Sequence, residues 1–157
     1  MTQRRVRAAR LSDAGVVTDL VQRAYQPYVE RIGKPPAPMT CDYERVIGSG
    51  DVWVIEAGDR VDAVLVLHQE DDHLLIDNVA VDPALHGVGL GAQLLAFAED
   101  AARQRGLPEI RLYTNEHMTE NIGYYPRRGY QETDRRLDEG FIRVFFTKRL
   151  TVDNSTR

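Results

Sequence analysis

The order of apolar and polar positions sets out an antiparallel opening followed by an alternation of strands and helices. Residues 3–10 read as a first strand, and Ser12 can cap a helix in which Val17, Leu20, Val21, Ala24 and Tyr28 recur at helical spacing. Pro27 has no amide hydrogen, so this helix is expected to break near Gln26 and restart as a short turn to Ile32. Gly33-Lys34-Pro35-Pro36-Ala37-Pro38-Met39 then forms a stiff, extended connection, and Asp42 can cap a short helix ending near Gly48. Two β-rich runs, 52–56 and 61–68, flank Gly58-Asp59-Arg60 as a hairpin. Glu70-Asp71-Asp72 turns the chain into a third strand over 73–81.

Beyond Asp82-Pro83 the pattern changes. A glycine-rich loop leads into a helix with Leu94, Leu95, Ala98, Ala101 and Ala102 on one face, stopped by Gly106 and Pro108. Residues 109–114 read as a strand, so strand, helix and strand make a crossover whose two strands lie parallel in one sheet. A short helix over 119–127 and two closing strands, near 130–132 and 141–148, complete the domain. An exposed closing strand at 141–148 could pair across a homodimer axis. The expected organisation is one domain over residues 1–150 and a polar tail at 151–157.

Composition narrows the function classes. At 157 residues the chain can bury a real core without staples, and 20 basic against 24 acidic side chains give a net charge of −4. No block of Lys or Arg suits a nucleic-acid coat, and no run suits a membrane helix, so neither nucleic acid nor membrane is an expected partner. Cys41 is the single cysteine, and no apolar signal core follows Met1-Thr2-Gln3-Arg4-Arg5, which points to a cytoplasmic location. His68, His73, His86 and His117 have no ligand spacing, so no metal is expected.

The chemistry concentrates in His86-Gly87-Val88-Gly89-Leu90-Gly91-Ala92, between a strand and the first turn of an amphipathic helix. A helix start presents unpaired amides and partial positive charge, and glycines there remove the Cβ atoms that would hold a phosphate oxygen away. A P-loop is excluded, since Ala92-Gln93 stands where Lys and Ser or Thr belong. Gly87-x-Gly89-x-x-Ala92 formally matches a dinucleotide fingerprint, but Asp82-Pro83-Ala84-Leu85 intervene after the strand and Glu109 opens the next strand instead of ending it. A dinucleotide-binding oxidoreductase is therefore the weaker alternative.

Asn78-Val79-Ala80-Val81-Asp82-Pro83 followed by His86-Gly87-Val88-Gly89-Leu90-Gly91 resembles motif A of the GNAT superfamily of N-acetyltransferases. Asn121-Ile122-Gly123-Tyr124-Tyr125-Pro126-Arg127-Arg128-Gly129-Tyr130 resembles its second signature. His86 departs from the Gln or Arg of the family pattern. The resemblance implies a single-domain α/β fold: a mixed, strongly twisted sheet of about seven strands flanked by helices, with splayed central parallel strands. It implies acetyl-CoA as cosubstrate and a small-molecule or peptide amine as acceptor. The amides of Gly87, Val88, Gly89, Leu90, Gly91 and Ala92, with His86 beside them, are implied donors to the pyrophosphate, and the main chain of Val79 and Val81 to the pantetheine arm.

The same resemblance implies catalytic roles. The Val79 amide faces the thioester oxygen, Tyr125 is the general acid for the departing thiolate, and Asn121 one turn earlier bonds the cofactor arm. Asp77 shares a strand face with Val79 and interrupts the run Leu74-Leu75-Ile76, which makes it a candidate base or acceptor anchor; Asp72, Glu70 and a water chain are its rivals. Tyr25, Tyr28, Met39, Cys41 and Tyr43 border the Pro-rich connection, where either acceptor recognition or core packing accounts for them. A non-catalytic acyl-CoA-binding module remains the alternative to an enzyme.

Overall fold

The computed structural model describes residues 3–151, so residues 152–157 of the expected tail lie outside it. Strand β1 (Arg4–Ala8) is followed by helices α1 (Ala14–Ile32) and α2 (Tyr43–Gly48), then β2 (Val52–Ala57), β3 (Arg60–Gln69) and β4 (Leu74–Val81). After them come α3 (Leu90–Gln104), β5 (Glu109–Asn115), α4 (Thr119–Arg127), β6 (Gln131–Asp138) and β7 (Phe141–Arg149). The seven strands run in the order β1-β2-β3-β4-β5-β7-β6, a mixed sheet in which β4 and β5 are parallel. The described residues divide into two compact units, one holding those up to 67 with 77–95 and the other 68–76 with those from 96 onward.

In the first unit, β1 pairs antiparallel with β2, and β2 with β3. Residues 61–67 of β3 are all buried, as a central strand covered on both faces requires. Val17, Leu20 and Val21 of α1 and Tyr43 and Ile47 of α2 pack on Val52, Val54, Val64, Val66 and Ala80. Asp62 lies fully buried within β3, where its carboxylate meets Arg4 Nε at 2.9 Å and Arg60 Nε at 2.6 Å. Burial alone would raise this carboxyl; the two guanidinium groups outweigh it and hold the group below the usual carboxylate range.

Three local expectations are corrected in this unit. Helix α1 runs through Pro27 without a break. The proline removes one bond, but the helix is held by its buried stripe and closed by Gly33, whose left-handed φ of 89° lets its amide reach the Val29 carbonyl at 2.8 Å. Ser12 does not cap it: Asp13 is the buried residue there, accepting from the Arg10 amide at 2.7 Å and from Arg7 at 2.8 Å. The Pro-rich connection is also less extended than expected, since residues Ala37–Thr40 form a 3₁₀ turn.

In the second unit, β5 pairs antiparallel with β7, and β7 with β6. Strand β7 thus has neighbours on both edges and β6 is the edge, which corrects the expectation of an exposed closing strand at 141–148. Strand β6 is also longer than the expected 130–132. Its charged run Thr133-Asp134-Arg135-Arg136 reads as loop, yet an exposed edge strand needs no apolar face, and β7 supplies its ladder. Glu99 of α3 accepts from Tyr130 Oη at 3.0 Å and pairs with Lys148 Nζ at 3.0 Å, tying helix to sheet.

Candidate active site

Strand β4 delivers the chain to the glycine loop, which lies in the first unit. Its residues alternate cleanly: Leu74, Ile76, Asn78 and Ala80 are buried, while Leu75, Asp77, Val79 and Val81 are half-buried. The parallel ladder with β5 covers Leu74–Ile76 beside Ile110–Leu112, and β4 runs on to Val81. Asp82 ends the strand. Its carboxylate accepts from the Ala84 amide at 3.0 Å and meets Arg23 of α1 at 3.1 Å, while its amide donates to the Asp62 carbonyl at 2.9 Å. The start of the loop is therefore fixed from three sides.

Gly87 and Gly89 take left-handed φ values of 83° and 96°, which side chains with a Cβ rarely adopt. A Cβ on either would meet nothing within 4 Å, so the glycines serve the backbone path and the space above it. The first helical bond of α3 runs from the Gln93 amide to the Gly89 carbonyl at 3.1 Å. Among the described residues, the amides of Gly89, Leu90, Gly91 and Ala92 donate to no main-chain carbonyl. Val88 differs, since its amide makes a long 3.4 Å bond to Leu85. Residues 86–89 are exposed and Leu90 is buried, anchoring the helix under an open cradle.

Behind Val79 lies a buried polar network. Asn78, 5% exposed, accepts from Tyr25 Oη at 2.6 Å and donates to Tyr43 Oη at 3.1 Å; Tyr43 in turn donates to the Pro38 carbonyl at 2.8 Å. Tyr25 Oη also lies 3.4 Å from the Val79 carbonyl, and Gln22 donates to the Met39 carbonyl at 2.7 Å. Burial pushes the Tyr43 hydroxyl up. The Cys41 thiol is raised first by burial and then by the charge of Asp77, which also adds to the rise of the Tyr43 hydroxyl. Asn78 and its tyrosine contacts were not assigned from sequence; the signal was a polar residue on the buried phase of an apolar strand.

In the second unit, α4 presents Tyr124 and Tyr125 side by side, their rings edge-on with centroids 5.3 Å apart. Tyr125 packs toward the sheet, 5.7 Å from the Tyr130 ring and 5.8 Å from Phe146. Tyr124 instead lies under the Arg128 guanidinium at 5.0 Å. Burial, then the neighbouring Tyr124, raises the Tyr125 hydroxyl above the ordinary phenol range. Asn121 donates through Nδ2 to Thr114 Oγ1 at 3.0 Å, which fastens α4 to β5. The site residues expected from sequence thus fall into two groups: Asp77, Val79, Val81 and residues 86–92 in one unit, Asn121 and Tyr125 in the other. No cluster of three or more His, Cys, Asp or Glu side chains that could hold a metal occurs among the described residues.

Comparison with known proteins adds four findings. The sequence profile of the Acetyltransferase (GNAT) family matches residues 17–130. The aminoalkylphosphonate N-acetyltransferase of Salmonella typhimurium is 38% identical over 62 residues, 40% of this chain and 40% of its own length. An uncharacterized protein of Bacillus subtilis, YxbD, is 32% identical over 71 residues, 45% of this chain and 42% of its own. The chain's matches thus span less than half the length of these curated relatives. In fold, the PaiA N-acetyltransferase of Thermoplasma acidophilum, solved in complex with coenzyme A, has a TM-score of 0.77 at 13% identity, covering 94% of this chain and 99% of that one.

Proposed function

We propose, for a chain that belongs to the acetyltransferase (GNAT) family, that it transfers an acetyl group from acetyl-CoA directly to a primary amine, as one catalytic domain over residues 1–150. The observation that carries this reading is the set of unspent amides at Gly89, Leu90, Gly91 and Ala92 where the loop after β4 enters α3, a built cradle for a diphosphate. Gly87 and His86 border it, and Val88 joins by giving up its long bond to Leu85. The main chain of Val79 and Val81, beyond the ladder with β5, bonds the pantetheine arm as a strand would. The Asn121 carbonyl oxygen bonds the same arm while its Nδ2 holds Thr114.

Acetyl-CoA supplies an activated acyl group as a thioester; the chain's residues handle charge and protons. The Val79 amide stabilises the oxyanion that develops as the amine nitrogen bonds to the acetyl carbon. Asp77, or a water beside it, takes the proton that the amine must shed. Tyr125 donates to the thiolate as the carbon–sulfur bond breaks. The products are an N-acetyl amine and free coenzyme A. Acceptors are small-molecule or peptide amines, and the curated aminoalkylphosphonate relative recommends aminoalkyl acids within the panel. A cytoplasmic location belongs to the same reading and rests on the sequence argument.

Free-thiol release from acetyl-CoA across an amine panel tests the function. Amine-dependent release with matching N-acetyl product is expected. Binding of acetyl-CoA with no release for any amine would turn the reading to a non-catalytic acyl-CoA module, and release independent of amine would refute direct transfer.

A further inference from the structure

The second unit holds a recess of about 990 Å³ that none of the steps above uses. It lies over one face of β5, β7 and β6, where cross-strand partners set Tyr113 beside Phe145 and Arg143 beside Arg136. Arg143 is only 5% exposed, far more buried than an arginine on an open sheet face needs to be. Its guanidinium lies 4.4 Å over the Tyr113 ring and 5.6 Å from that of Phe141, so aromatic faces hold its plane.

Its donors are used unevenly. Nη1 takes both carboxylates, Asp138 at 2.9 Å and Glu139 at 3.5 Å. The Nε and Nη2 hydrogens find no acceptor among the described residues. That edge of the fork is the one that matches two oxygens of a carboxylate or phosphate. Directly across the ladder stands Arg136, its guanidinium 4.0 Å over the Phe145 ring and paired with Asp134. Asp134 and Asp138 each offset one of these two opposed charges, so the Nε–Nη2 edge of Arg143 is the part of the pair left to bind an added oxyanion.

We propose that this recess binds an oxyanion of the carboxylate or phosphate type, taken bidentately by the Nε–Nη2 edge of Arg143 with Arg136 facing it. The anion is either a group carried on the acceptor or a free anion. Inorganic phosphate is the first probe, titrated into the full chain at constant ionic strength while side-chain and amide nitrogen resonances are followed by NMR. The Arg143 Nε–H resonance and the amides of Phe145 and Thr147 shift saturably. Arg143→Lys keeps the charge and the Asp138 pairing but lacks the fork, so the Phe145 and Thr147 amide shifts, which both chains share, report an affinity at least tenfold weaker while the rest of the spectrum is retained. No saturable shift at Arg143 in the native chain, or equal affinity in the lysine variant, overturns the proposal.

Shifts at Gly89–Ala92 report the glycine cradle separately, so failure of one site is distinguishable from failure of the other. Acetylation of β-alanine and propylamine then separates the sources. A KM rise of about tenfold in Arg143→Lys for β-alanine alone assigns the anion to the acceptor; equal KM values for both amines, with the phosphate shifts present, assign it to a free anion. A chain that acetylates neither amine still answers through the phosphate titration.

Discussion

Replacing Tyr125 by Phe removes one oxygen and nothing else that packs. The ring contacts to Tyr124, Tyr130 and Phe146, with centroids between 5.3 and 5.8 Å, are all available to phenylalanine. The hydroxyl makes no hydrogen bond among the described residues, so stability should change by no more than about 0.5 kcal/mol. Catalysis should respond differently. Burial raises the phenol from its ordinary pKa of about 10, while a thiol sits near 8.5, so complete proton transfer to the thiolate is uphill by roughly 2 kcal/mol or more. Hydrogen-bond donation to the developing thiolate is then the main gain, about 1.5–3 kcal/mol, or roughly 10- to 150-fold in rate. The assay is thiol release at pH 7.5, alongside coenzyme A affinity and thermal unfolding. Coenzyme A affinity should hold within about threefold. The raised phenol keeps its proton to pH 10 and above, so native kcat/KM should climb about tenfold per pH unit from 7 to 9 as the amine deprotonates, with no falling limb there. Unchanged turnover in Tyr125→Phe refutes the acid role, and a melting temperature lowered by more than about 5 °C refutes the packing argument.

Three further substitutions test other parts of the reasoning. Gly89→Ala forces a Cβ onto a φ of 96°, costing about 1–2 kcal/mol by urea unfolding, and weakens coenzyme A binding at least tenfold; lost stability with intact binding would mean a mere turn. Asp62→Asn leaves Arg4 and Arg60 without their buried partner at a cost of about 2–3 kcal/mol at pH 7, less than a fully buried pair because both guanidinium groups reach solvent. The carboxyl is depressed in the fold, so its stabilisation is complete above the unfolded value of about 3.9 and disappears as pH falls through the folded value. The native advantage over the variant should therefore shrink between pH 4 and pH 2, and a constant gap would refute it. Asp77→Asn should speed alkylation of Cys41 by iodoacetamide about two- to threefold at pH 8, because a carboxylate that raises the thiol is gone; an unchanged rate would refute that influence.

Most strand and helix positions were legible because each is written in a contiguous run. The alternation in 74–81 and the helical stripe of α3 needed no distant information, and the glycine loop is a statement about main-chain geometry that three glycines make locally. Where the reading failed, a local rule met a distant partner. Pro27 does break an isolated helix, but the buried stripe around Leu20 and the Gly33 cap outweigh one lost bond. The charges of β6 do argue against a buried strand, but only β7, past a hairpin, makes an edge strand of them.

The polar residues of the candidate site show the same division more sharply. Periodicity marks Asn78 as a polar side chain in a core position and says nothing of what satisfies it, since its partners Tyr25 and Tyr43 stand 53 and 35 residues away. Burying an amide without those bonds would cost several kcal/mol, so the network is a condition of placing Asn78 there at all. It also changes the account of the Pro-rich connection. Prolines stiffen that segment but do not aim it; Tyr43, held by Asn78, takes the Pro38 carbonyl, and Gln22 takes that of Met39. The strand that offers Asp77 and Val79 thereby fixes, through the residue between them, the loop beside them, and a change at Asn78 would reach both through one pair of hydrogen bonds.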